Sequence, residues 1–141
     1  MNPPQENLLL AIKRTLEEAN DVVLAIVYGS AASGTMRDNS DVDVAVLCRS
    51  TLGVDEKLAL IQTLSERLGR EVDLVDLRKI DGVLLKQILT KGKVVIKKDS
   101  SAFANLLKTM IYNEADYMPY YHRALRERLE KFAHGQGSRR E

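Results

Sequence analysis

The sequence has one cysteine, two histidines, no tryptophan and almost no net charge, and each shortage excludes something. A lone Cys48 forms no internal disulfide and fits a reducing compartment, so a cytoplasmic location is expected. It closes an apolar run and reads as a buried thiol. Two histidines and one cysteine do not make a zinc cluster. A net charge of +1 supplies no field for gathering DNA or RNA, so direct nucleic-acid binding is not expected. No apolar run approaches the roughly 18–20 residues of a membrane span. The opening Met1-Asn2-Pro3-Pro4 lacks the basic segment and apolar core of a secretory signal. The 141 residues suffice for one domain with its own core.

Hydrophobic periodicity supplies the elements. Leu8, Leu9, Ile12, Leu16 and Ala19 recur at helical spacing, which predicts an amphipathic helix over 5–20. The β-branched run 22–28 predicts a buried strand, broken by Gly29-Ser30, with a short helical turn and loop over 31–40. A second strand is expected over 42–48, and a helix over 55–68 closed by Gly69. A third strand over 72–77, a helix over 81–90 with Asp81 at its N-cap, and a short strand at 94–96 follow. From about 100 to 132 the pattern is helical, interrupted at Pro119, and 135–141 reads as a disordered tail. Alternating strands and helices predict an α/β (α+β) fold, a small mixed sheet of about four strands with helices packed on it. The expected division is a core domain over 1–98, a helical extension over 99–134 and the tail.

Chemistry concentrates near the first two strands. Gly29-Ser30 is followed after ten residues by Asp41-Val42-Asp43. Side chains at i and i+2 of a strand share a face and lie about 6–7 Å apart, close enough for two carboxylates to hold one hard cation or a close pair of cations. Aspartate is a poor strand residue and costly to bury, so a cation is the natural compensation among Val42, Val44 and Val46. Gly29 and Ser30 offer backbone N–H groups and a hydroxyl for phosphate. Asp73, between Val72 and Leu74, completes an acidic triad if its strand neighbours the other, which suits a two-metal phosphoryl or nucleotidyl transfer with Asp73 as metal ligand and base. Asp76 points to the opposite face and reads as a turn residue. Arg37 and Asn39 lie in the loop before the aspartates, and solvation there is as good a reading as phosphate contact. No histidine stands in a motif that would make Ser30 a nucleophile. His122 and His134 read as surface or interface residues.

Gly29-Ser30, ten residues, Asp41-x-Asp43, then Arg70-x-Val72-Asp73-Leu74 resembles the nucleotidyltransferase superfamily of DNA polymerase β. The short length resembles its minimal nucleotidyltransferase (MNT) branch, and the match covers about residues 8 to 98. The resemblance implies the nucleotidyltransferase fold. It also implies that Gly29 and Ser30 hold a triphosphate, that Asp41, Asp43 and Asp73 bind Mg²⁺ (two ions), and that Asp73 is the base. MNT proteins are commonly antitoxins paired with HEPN ribonuclease toxins, which they silence by moving AMP from ATP to a tyrosine hydroxyl. An enzyme of that type, with ATP as substrate and a HEPN-type toxin as partner, is what the resemblance implies here.

Residues 100–133 carry no catalytic signature. They do carry Tyr112, Tyr117, Tyr120 and Tyr121, with Met110, Met118, Phe103, Leu106, Leu107 and Ile111, followed by Arg123, Arg126 and Arg128. Aromatic, Met and Arg side chains are enriched in interface cores, so this segment is the expected partner surface. Two competing functions stay open. A non-catalytic antitoxin would bind and occlude its partner, but three unneeded strand carboxylates argue against it. A small-molecule (aminoglycoside-type) nucleotidyltransferase would need a second domain to enclose its acceptor.

Overall fold

The apolar run at 22–28 becomes an inner strand of the sheet, with every position except the last buried. The computed structural model describes residues 3–113 and 126–132. The chain divides after Lys98 into two compact units.

The first unit holds β1 (Val22–Tyr28), β2 (Val42–Cys48), β3 (Val72–Asp76) and β4 (Lys93–Lys97) in the order β3-β2-β1-β4. β1 runs antiparallel to β2 and β4, whereas β2 and β3 are parallel. A parallel pair needs a crossover. It is supplied by α3 (Val54–Leu68), which ends on Gly69 in the left-handed region at φ 63°. α1 (Pro3–Glu17) precedes β1, α2 (Ser30–Ser33) follows it, and α4 (Gly82–Lys91) leads into β4. This is the expected mixed four-stranded sheet with helices on it.

Several boundaries differ from expectation. α1 starts at Pro3 because proline is well suited to a first helical turn, where its missing N–H costs nothing. It stops at Glu17, where Glu18 and Ala19 donate to the carbonyls of Thr15 and Leu16 and tighten the chain into a turn. β3 ends at Asp76, although Leu77 N–H still donates to Val46 O at 2.9 Å. Asp81 stands at the N-cap of α4, but its side chain makes no capping bond. Gly92 ends that helix with an ordinary negative φ of −71°. Its need for glycine is space: a Cβ there would collide with Ile26 Cγ2 and lie 2.6 Å from Ile88 O.

Alternation along the strands divides the sheet into two faces. Ala25 and Val27 of β1, Val42, Val44, Val46 and Cys48 of β2, Leu74 of β3 and Ile96 of β4 form one apolar cluster with Leu9, Ile12 and Leu16 of α1 and Leu64 of α3. Cys48 is buried as expected, and burial pushes its thiol up to about 11. The opposite face carries Leu24, Ile26 and Ala45, all fully buried. There α4 packs on β1, with Leu85, Ile88 and Leu89 turned inward.

The second unit contains α5 (Ser100–Asn113) and a helical stretch over 126–132. Phe103 stacks on Phe132 with ring centroids 4.1 Å apart. The expectations placed on Tyr117, Met118, Pro119, Tyr120, Tyr121, His122, Arg123, His134, the side chain of Tyr112 and the tail 135–141 lie outside the described residues. Among the described residues, no helix is long and apolar enough to cross a membrane.

Candidate active site

Strand register assembles the site. Asp43 is the direct partner of Asp73 across the parallel β2–β3 pair, and Tyr28 is the partner of Asp43 across β1–β2. Register partners share a face, so one phenol and two carboxylates stand side by side over three adjacent strands. Like charges placed directly opposite one another are destabilising. The chain shows that tension. Asp43 is held above the ordinary carboxylate range, first by burial, then by the charges of Asp73 and Asp41. Tyr28 is pushed up to about 12 by burial and then by Asp43 and Asp73.

Gly29 closes β1 in the positive-φ region (φ 70°, ψ −149°), and a Cβ at this point would run into Asp43 Oδ2. The turn and the carboxylate are therefore packed together, and only glycine allows it. Gly29 O accepts the N–H groups of Ala32 and Ser33, each at 3.1 Å, which winds the chain into α2. Gln5 of α1 pins α2 from the side: its Nε2 donates to Ala31 O at 3.0 Å and to Ala32 O at 2.8 Å.

Asp41 lies one residue before β2, exposed, so the two aspartates do not share a strand as the sequence pattern suggests. The loop ahead of it is held by Arg70, whose Nη1 donates to the carbonyls of Arg37, Asp38 and Ser40 at 2.8, 3.0 and 3.3 Å. Arg70 thus anchors the loop that delivers Asp41. Asp76 faces away from the site, and its Oδ1 accepts the Arg78 N–H at 3.0 Å, a turn role.

A cleft of about 540 Å³ opens over this face. Its floor is Tyr28, Asp43, Asp73 and Val75, one end is Gly29, Ala32 and Ser33, and its wall is Leu84, Gln87 and Lys91 of α4. Ser30 and Asp41 adjoin this lining without belonging to it, and neither Arg37 nor Asn39 reaches it. A second cleft of about 570 Å³ lies between α1 and the 34–38 loop, lined by Leu8, Met36, Arg67 and Arg70 among others. Volume does not choose between them. Only the first has two carboxylates in register.

Leu84, Gln87 and Lys91 were not foreseen from the sequence. Their signal was the i, i+3, i+7 spacing on the helix expected over 81–90, which puts them on one stripe. That stripe faces the cleft because Leu85, Ile88 and Leu89 occupy the sheet side.

Among the described residues, no three His, Cys, Asp or Glu side chains converge into a preformed metal cluster. The donor set still fits a divalent ion chemically. Hard oxygen ligands stand together at a place where their mutual repulsion is unrelieved by any lysine or arginine ion pair among the described residues.

Comparison with known proteins converges on the same region. A family model described as Polymerase beta, Nucleotidyltransferase matches residues 11–101. The chain is 36% identical over 106 residues to Protein adenylyltransferase MntA of Shewanella oneidensis, an overlap of 74% of this chain and 75% of that protein. It is similar to a chain of a toxin–antitoxin crystal structure with AMP-PNP, with a TM-score of 0.66, 29% identity, and coverage of 83% of this chain and 98% of that one. It is also similar to a chain in a structure of tri-AMPylated Shewanella oneidensis HEPN toxin in complex with MNT antitoxin, with a TM-score of 0.62, 27% identity, and coverage of 86% and 98%.

Proposed function

The chain belongs to the polymerase beta nucleotidyltransferase family, and from that membership we propose that it is a protein adenylyltransferase antitoxin. It transfers AMP from ATP to a hydroxyl, a tyrosine, of a partner HEPN-type ribonuclease toxin and so neutralises it. The observation that carries this reading is the Asp43–Asp73 register pair beside the Gly29 turn. Such a pair is costly to keep in a strand unless it does chemistry.

The nucleotide lies with its phosphates against Gly29 and Ser30. The Ser30 hydroxyl has no hydrogen-bond partner among the described residues and is available to a phosphate oxygen. Asp41, Asp43 and Asp73 would hold Mg²⁺, two ions in all. When bound, these ions neutralise phosphate charge and lower the pKa of the attacking hydroxyl. Asp73, exposed at the start of β3, takes the acceptor proton. The acceptor oxygen forms a bond to the α-phosphorus as the bond to the bridging oxygen breaks, and pyrophosphate leaves. Tyr28 is held in its protonated form by burial and then by Asp43 and Asp73, which disfavours it as an internal nucleophile.

The partner docks through residues 100–133, a segment whose sequence is rich in the aromatic, Met and Arg side chains that interface cores favour. A free, buried Cys48 and the use of ATP support a cytoplasmic location for the reaction.

The test is incubation with Mg²⁺, α-labelled ATP and lysate of the native host, beside an Asp41→Asn/Asp43→Asn variant. Label on one small protein, absent with the variant and absent with γ-labelled ATP, is the expected result. Stable partner capture by both forms without label would replace transfer by occlusion.

A further inference from the structure

The floor of the cleft is anionic, and so is the nucleotide it would receive. The protein cation that lines the cleft is Lys91. Among the described residues, its ammonium has no ion-pair or hydrogen-bond partner, so it is not consumed by Asp43 or Asp73.

Its location follows from two features of the chain. Val27 pairs with Lys93 and Ile26 with Val94 in the antiparallel β1–β4 ladder. Lys91 is the last residue of α4, two positions before Lys93, so the turn through Gly92 brings it close to the end of β1. Gly92 makes this close return possible, since its missing Cβ leaves room against Ile26 and Ile88 O, and its N–H donates to Ile88 O at 2.9 Å. Lys91 therefore lines the same cleft as the Gly29 turn and Ser33. The apolar Leu84 is seven residues earlier on the same stripe, about 10 Å away along the helix axis.

A lysine in the last turn of a helix also complements the helix dipole. That role would be satisfied by any outward direction. It does not require the stripe to face an acidic cleft.

We propose that Lys91 is a phosphate-binding residue of this site, meeting the non-bridging oxygens of the nucleotide's β- and γ-phosphates and so the pyrophosphate that departs. The inference rests on the nucleotidyltransferase reading and adds a residue to it. A compact ammonium suits this task, because it meets phosphate oxygens as a point charge that need not be aligned in a plane. Charge accumulates on the leaving group as the α-phosphorus bond breaks, so the contact strengthens during reaction.

The experiment compares wild type, Lys91→Ala and Lys91→Arg by titration with two probes in Mg²⁺, α,β-methylene-ATP and AMP. The first carries the triphosphate and cannot transfer AMP. The second has neither outer phosphate. Lys91→Ala is expected to weaken α,β-methylene-ATP about tenfold, the loss of one charge-assisted contact at a half-open site, and to leave AMP unchanged. Lys91→Arg should recover most of the affinity. Equal weakening of both probes, or a lowered melting temperature with unchanged affinity for both, would overturn the assignment and leave Lys91 a structural residue. A wild-type protein that bound neither probe would instead sink the nucleotidyltransferase reading, and this inference with it.

Discussion

The two faces of one sheet are built from the same strands and obey opposite rules. On β2, Val42, Val44, Val46 and Cys48 face α1 and α3 and are sealed from water. Asp43 lies between Val42 and Val44 and looks the other way, half-buried beside Asp73 and Tyr28. A two-residue period lets a single segment serve packing and chemistry without compromise. The open face is a store of unfavourable charge that a ligand can relieve.

Substitutions should separate the faces. The largest effect is expected from Asp43→Asn, with AMP transfer lowered by roughly 10²–10³-fold or more, the scale of a lost electrostatic group in a preorganised site. Thermal unfolding of the same variant without metal should be unchanged or shifted upward, because a repelled charge has been removed. A marked fall in melting temperature would mean that the carboxylate is structural. On the other face, Leu64→Ala should cost about 2–5 kcal/mol in denaturant unfolding, the range for emptying a closed core position. The folded fraction should keep its specific transfer activity.

The pH response sharpens the comparison further. Asp43 has its folded-state pKa raised above the unfolded value. The folded protein then binds more protons than the unfolded chain between those two values, so stability falls as pH rises through that interval. Metal-free protein should therefore be relatively more stable on the acidic side of the interval, and Asp43→Asn should flatten the slope. Melting curves across that range provide the check, and an identical slope in the variant would remove Asp43 as its source. The smallest effect is expected from Gln5→Ala, about 1 kcal/mol for lost bonds to the carbonyls of Ala31 and Ala32. Its mark should be weaker nucleotide binding through a looser α2.

Much of this arrangement was legible in the sequence. The β-branched runs at 22–28 and 42–48 could be little other than buried strands. Aspartates set among valines marked the place where burial had been overruled. What escaped was whatever depended on three-dimensional return. Arg70 stands in the motif that carries the resemblance, but its task shows only when the 37–40 loop folds over it and offers three carbonyls. Leu84, Gln87 and Lys91 have ordinary helix composition, and only the burial of Leu85, Ile88 and Leu89 decides which way they point. Gly92 reads as a helix terminator, yet its φ is ordinary and its real constraint is the side chain of Ile26, more than sixty residues earlier. Asp81 shows the converse, a residue suited to capping whose side chain makes no cap bond.

The parallel register between β2 and β3 also bears on how the protein matures. Asp43 and Asp73 lie thirty residues apart and meet only after α3 has closed its crossover. A slip of one residue would send Asp73 to the sealed face. A nascent or partly folded chain would therefore lack the proposed reaction centre, however much local structure it has gained. Under the proposed function, nucleotide would bind only the finished register and stabilise it by mass action. The cell's own ATP would then act as a selective chaperone for the correctly paired chain.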